Sequence, residues 1–258
     1  MKYIISFIIS AFICFSGKAL TLDQRADSAY AADDFSLAAS LYMEAMQTEG
    51  TSSELYYNLG NCWYRLDKPG KAIVAYERAL RLDPSNKNAR INLEFVNSKI
   101  FDRQGEMGSF LSNAYDRAAT IMSSNSWAVA AVVIFIALLG CIALYIFGSS
   151  IKMRKFGFFG GIVLLFATII SAILSVHGAN ISTTNRFAII ISPSTLLSTS
   201  PREPKDRTEE AMLLHEGTKV EILDSISAQN DTTGLKWFDV QVDNAHRAWI
   251  KSSDVERI

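Results

Sequence analysis

Between Asp116 and Glu203 the sequence contains no Asp or Glu. A water-exposed domain keeps carboxylates on its surface, so this absence excludes an ordinary soluble fold over that stretch. Cysteine is scarce: Cys14, Cys62 and Cys141 fall singly in three different segments, so no disulfide framework is expected. The three histidines, His177, His215 and His246, stand singly with no metal-ligand spacing. No cysteine follows Cys141 to supply a thiol nucleophile. The acidic pairs Asp33-Asp34 and Glu209-Glu210 read as solvated turns. No catalytic set, metal site or cofactor is therefore expected. A basic excess is missing too. Residues 20–126 hold 14 acidic and 11 basic side chains and residues 178–258 hold 12 and 9, which leaves no basic face for nucleic acid.

What fills the acid-free stretch is apolar. Trp127 to Phe147 and Phe156 to Val176 are each 21 residues without a charge. As helices each spans roughly 31 Å, about the hydrocarbon thickness of a bilayer, so two membrane helices are expected. Gly157 and Gly161 have the spacing that lets such helices approach closely. Residues 1–19 are a third apolar segment, shorter, with Lys2 before it and small Gly17 and Ala19 after it. They read as an export signal, either cleaved after Ala19 or kept as an anchor. Residues 148–155 connect the two spans and carry Lys152, Arg154 and Lys155. Short loops rich in Lys and Arg stay in the cytoplasm. The export signal and the basic loop thus give one orientation, with both polar parts outside and residues 101–126 and 177–185 as linkers.

The first polar part repeats itself. Tyr30 to Met46 aligns without a gap on Tyr64 to Leu80 at a period of 34, matching Tyr30 with Tyr64, Ala38 with Ala72, Tyr42 with Tyr76 and Ala45 with Ala79. Each unit has two blocks of apolar residues at helical spacing, split by Asp33-Asp34 in one and Lys68-Pro69-Gly70 in the other. The stretch Ser53 to Asn86, with Leu59, Gly60, Ala72, Tyr76, Ala79 and Pro84, resembles a tetratricopeptide repeat (TPR). The resemblance implies an all-α repeat domain over residues 20–100, with small residues where helices meet. It also implies that the first helix of each repeat lines a peptide-binding groove. On that face stand Tyr57, Asn61, Tyr64 and Arg65, with Asn92 on the next helix. Asn61 and Asn92 resemble the asparagine pair that holds a peptide backbone in TPR clamps, although the clamp's basic residues are not evident.

The second polar part, residues 186–258, changes period. RFAIII, GTKVEIL, KWFDVQV and HRAWIKS are short runs rich in β-branched and aromatic residues between turn-forming clusters. Four or five strands in so short a segment suggest a small barrel. Leu214, Gly217, Val220, Trp237, Val240, Trp249 and Ile250 give it the look of a bacterial SH3-like domain. Trp237 and Trp249 either flank a peptide or glycan groove or plug the barrel.

The order of export signal, TPR, membrane hairpin and SH3-like tail resembles the BatE-like proteins of the bacterial aerotolerance operon. The resemblance implies a multi-domain protein of the bacterial inner membrane with both polar domains facing the periplasm. Its role would be a non-enzymatic scaffold for other membrane proteins, including von Willebrand A-type partners, in a stress-related complex. A cell-wall tether that binds peptidoglycan through the SH3-like domain is the alternative.

Overall fold

A computed structural model describes residues 20–102, 109–184, 186–227 and 235–258. The expected export signal, residues 1–19, lies outside them. Five helices open the described chain: α1 (Leu22–Ala31), α2 (Phe35–Thr48), α3 (Ser53–Arg65), α4 (Pro69–Leu82) and α5 (Lys87–Asn97). Their ends are written locally. The side chains of Asp34, Ser52 and Asn86 accept the Leu37, Leu55 and Ala89 N–H groups at 3.0, 3.1 and 3.0 Å. Pro69, whose missing N–H costs nothing in a first turn, starts α4. The turns inside the two helix pairs match at the same period as the sequence: Asp33 and Asp67 both take positive φ, 59° and 56°. Aspartate tolerates that conformation better than most residues.

Packing follows the pattern of small residues. Ala26, Ala38, Ala39, Tyr42, Leu59, Cys62 and Ala75 bury together between the first and second pairs. Burial pushes the Cys62 thiol up to about 12, which leaves it protonated and inert. At Gly60 the helices touch: a Cβ there would lie 2.5 Å from Cε1 of Tyr76.

Three further helices follow: α6 (Phe110–Ala119), α7 (Ser124–Phe147) and α8 (Ile151–Thr183). The last two form an antiparallel hairpin, and both are long and apolar enough to cross a membrane. At Gly157 the helices pack closely: a Cβ there would lie 2.7 Å from the Cys141 carbonyl oxygen and the Tyr145 nitrogen. Their bounds differ from those expected. The linker 101–126 holds α6, and α7 begins three residues before Trp127. The connector expected at 148–155 shrinks to Gly148, Ser149 and Ser150, because Ser150 accepts the Met153 N–H and so caps a helix that already contains Lys152, Arg154 and Lys155. Most of the linker expected at 177–185 continues α8, to Thr183.

The C-terminal part is β1 (Phe187–Ile190), β2 (Ser194–Ser198), β3 (Glu210–His215), β4 (Lys219–Ser227), β5 (Lys236–Gln241), β6 (Arg247–Lys251) and β7 (Val255–Arg257). Where a small barrel of four or five strands was expected, the described residues form one antiparallel sheet of seven, ordered β3-β2-β6-β5-β4-β1-β7 and not closed. Period-2 alternation still sets its core. Phe238, Val240, Ala248 and Ile250 point to one face and bury with Ala188, Ile190, Leu197, Leu214, Val220 and Val255.

The sheet docks on the helical repeat. Along one face of α4, Ile73 joins Ile189 and Ile258 in a shared core. Glu77 pairs with Lys219 at 2.7 Å and Arg78 with Glu256 at 2.6 Å. The Gly70 N–H donates to Glu216 Oε1 at 2.9 Å. Just past α5, Asp102 accepts the His215 N–H at 2.6 Å and the Thr218 hydroxyl at 2.8 Å. Ile100 presses on Gly217, whose φ of 93° lets the β3–β4 turn pass beneath it.

Candidate functional site

Four of the five residues expected on the groove face come together. Tyr57, Asn61 and Tyr64 recur at helical spacing along α3, half-buried, with Asn92 of α5 beside them. Asn92 Nδ2 donates to Asn61 Oδ1 at 2.8 Å, and the Tyr76 hydroxyl donates to the same oxygen at 2.7 Å. The asparagine pair is therefore joined inside the protein, and the Asn61 carbonyl already has two donors. Burial pushes the Tyr76 hydroxyl pKa up, well above its ordinary value, so it stays a donor. Tyr57 packs at 6.2 Å from the Tyr76 ring. Tyr64 meets Phe95 edge to face at 5.7 Å and accepts a hydrogen bond from Lys99 Nζ at 2.9 Å.

Arg65 is the exception. It pairs with Asp33 of the preceding helix pair at 3.2 Å and lies over the Phe35 ring at 4.1 Å, so it ties two repeats together. In its place the structure supplies Phe95 and Lys99, which sequence reasoning did not single out. Lys99 Nζ stands 4.1 Å from the Phe95 ring centre. The signal was available: Ile91 and Phe95 are large apolar residues four apart on α5, and both are exposed. The face between α3 and α5 thus offers aromatic edges, a joined amide pair and one cation, a surface suited to an apolar helix or extended segment with an acidic group.

The two tryptophans share one face of the sheet. Trp237 sits opposite Lys251 and Asp239 opposite Trp249. Trp237 is buried, 4% exposed, and Trp249 is half-buried. Buried Asp239 is held by Arg247, whose Nε donates to it at 2.8 Å. Lys251, 6.0 Å from the Trp237 ring, pairs with Glu203 of the β2–β3 connection. Trp237 is thus a packing residue, and only Trp249 offers surface.

A cavity of about 550 Å³ opens where α4, α5, the turn between α6 and α7, the end of α8 and β1 meet, with Glu77, Arg81, Arg90, Met122 and Lys219 in its wall. Its charged groups already have internal partners: Glu77 holds Lys219, Arg81 donates to the Ser182 carbonyl at 2.5 Å and Arg90 to that of Pro84 at 2.8 Å. Among the described residues no group of three or more His, Cys, Asp or Glu could hold a metal ion.

Comparison with known proteins agrees with the helical part of this geometry. Residues 53–86 match the tetratricopeptide repeat family, so the chain carries a TPR motif. A 68-residue stretch is 34% identical to the Protein SGT1 homolog of Oryza sativa subsp. japonica, covering 26% of this chain and 18% of that protein. The chain therefore spans less than a fifth of that relative's length.

Proposed function

We propose that this chain is a membrane-anchored scaffold of the bacterial envelope. Its TPR face between α3 and α5 holds a segment of a partner membrane protein, of the von Willebrand A type that the BatE-like resemblance implies. The TPR repeat supports protein binding in general. For the arrangement, one observation carries the reading: α4 packs against β1, β4 and β7. Two domains in contact must lie on one side of any membrane that α7 and α8 cross. Lys152, Arg154 and Lys155 lie at the opposite end of the hairpin, and the positive-inside tendency puts that end in the cytoplasm. The SH3-like reading and the peptidoglycan tether have less support, since the sheet is open and Trp237 is buried.

Photo-crosslinking from the native membrane tests the proposal. Benzoylphenylalanine replaces Phe95 in the full chain, with the same residue at Leu223 on the sheet as control. A crosslinked membrane protein from Phe95 and not from Leu223 is the expected result. Crosslinks from Leu223 alone, or sedimentation with purified peptidoglycan that a Trp249→Ala change abolishes, would move the function to the sheet.

A further inference from the structure

The helix before the first apolar span separates its residues by chemistry. At about 100° per residue, Phe110, Leu111, Ala114 and Ala118 of α6 fall within an arc of about 100°. Ser112, Asn113, Asp116 and Arg117 occupy the remainder, with Tyr115 and Ala119 on the side that meets the protein. The apolar arc is turned away from the protein: Phe110 is 84% exposed, Leu111 77% and Ile121, just beyond the helix, 66%. The opposite side holds α6 in place. Asp116 Oδ1 lies 2.6 Å from His177 Nε2, the Tyr115 ring stacks on the His177 ring at 4.0 Å, and Ala119 is buried.

The contacts with α8 fix the level of α6. Tyr115 lies over a recess lined by Ala172, Ile173, Val176, His177 and Asn180, where α8 passes from apolar to polar sequence. At the same level Ser124 donates to the Ser175 carbonyl at 2.7 Å, and Trp127 Nε1 donates to the Ala119 carbonyl at 3.2 Å. Tryptophan favours the boundary between hydrocarbon and water. Past the polar Ser123, Ser124, Asn125 and Ser126, exposed apolar residues resume at Val129 and Val132 of α7.

We propose that α6 is an in-plane membrane helix, its apolar arc of Phe110, Leu111 and Ala114, with Ile121 just beyond it, seated in the lipid leaflet that α7 enters. The proposal rests on reading α7 and α8 as membrane spans. Its seat beside Val176 and His177, where α8 passes from apolar to polar, commits the arc to lipid. A helix of this kind sinks roughly 5 to 10 Å into the headgroup and acyl boundary. Within α6 Asp116 and Arg117 cancel, so insertion is driven by apolar area and needs no anionic lipid. The helix then holds the TPR domain at a fixed height over the bilayer.

The test uses the full-length protein with Cys14, Cys62 and Cys141 replaced by Ala, in phosphatidylcholine vesicles. Single cysteines at Phe110, Ile121, Asn113 and Ile136 carry an environment-sensitive fluorophore. Quenchers are iodide and lipids brominated near the head or near the tail end of the acyl chain. With Phe110→Cys and Ile121→Cys, head-end bromine should quench more than tail-end bromine. Ile136→Cys, within α7, should show the reverse order, and Asn113→Cys should respond mainly to iodide. If Ile136→Cys is quenched by lipid while Phe110→Cys responds to iodide as Asn113→Cys does, α6 lies in water and the proposal is overturned. Shielding of Phe110→Cys from both quenchers overturns it in favour of a protein cover, such as a second copy. Absence of lipid quenching at Ile136→Cys overturns the spans themselves and the proposal with them.

Discussion

The hydroxyl of Tyr76 donates to Oδ1 of Asn61 at 2.7 Å, and one period earlier Tyr42 makes the same bond to Asp27 at 2.5 Å. The bond is thus part of the repeat, fastening its second helix to its first, and Asn61 is a structural residue before it is a binding one. The resemblance to TPR clamps implied ligand capture for Asn61.

Asn61→Ala should therefore cost stability. Tyr76 is 1% exposed, and an unmet buried hydroxyl costs about 1 to 3 kcal/mol. Tyr76→Phe removes the hydroxyl that Asn61→Ala would leave unmet, so Asn61→Ala made on top of it should cost less than Asn61→Ala alone. Thermal melting of the full chain in detergent checks this. Additive losses would mean the bond contributes nothing. Asn92→Ala, which leaves the tyrosine bond in place, is the variant that isolates partner capture.

Gly60→Leu meets the same ring from the other side. Overpacking of this kind costs about 1 to 3 kcal/mol or more. A melting temperature equal to the parent's would show that α3 and α4 can part without loss. Ala26, which occupies the matching position one period earlier, already carries a methyl group.

The docking of sheet on repeat should depend on pH through Asp102. Burial raises its pKa, but the His215 N–H, the Thr218 hydroxyl and the His215 ring outweigh that and hold the carboxyl below its ordinary value of 3.8. A lowered carboxylate contributes stability above its unfolded pKa and loses it as the pH falls through the folded one. Asp102→Asn should thus melt earlier than the parent at neutral pH, and the gap should close in acid below about pH 4. Glu216 acts oppositely. Burial, ahead of the Gly70 N–H it accepts, holds its pKa above 4.5, so its penalty grows as the pH rises from there to its folded value. Glu216→Gln should raise the melting temperature at pH 7 and have little effect in strong acid. A pH-independent gap between parent and Asp102→Asn would remove the carboxylate from the latch.

Orientation is tested with single cysteines in the cysteine-free background. Ser149 lies exposed in the connector and caps nothing, while Thr51 and Ala245 lie exposed on the repeat and the sheet. In cells whose outer membrane, where present, has been permeabilised, an impermeant thiol reagent should label Thr51→Cys and Ala245→Cys and leave Ser149→Cys unlabelled. Labelling of Ser149→Cys in intact inner membranes would reverse the arrangement.

The helical repeat was legible because its information is local and periodic: Ala26, Ala38, Leu59 and Ala72 bury as the spacing requires. The pairing of Tyr76 with Asn61 was hidden by the divergence of Asp27 from Asn61, which masked the shared bond. The strands β2 and β3, STLLS and EAMLLH, are absent from the strand-like runs read in the sequence because leucine in short runs does not signal a strand. The reach of α8 past Val176 was missed because HGANIST is polar. It stays helical where His177 meets Asp116 and the Ser182 carbonyl accepts Arg81. The docking of sheet on α4 joins residues 142 and 178 positions apart, and no periodicity reports contacts of that range.

That separation has a consequence in time. A ribosome adding 5 to 20 residues per second needs on the order of ten seconds to go from Arg78 to Glu256. During that interval the repeat has left the ribosome with the outer face of α4, Ile73 included, still waiting for Ile189 and Ile258. Those strands arrive only after two further apolar helices have been made. The nascent chain thus carries an uncovered greasy strip through the whole of its hairpin's synthesis, and a chaperone that recognises newborn protein would find it there. In the finished molecule the same strip has disappeared into the shared core.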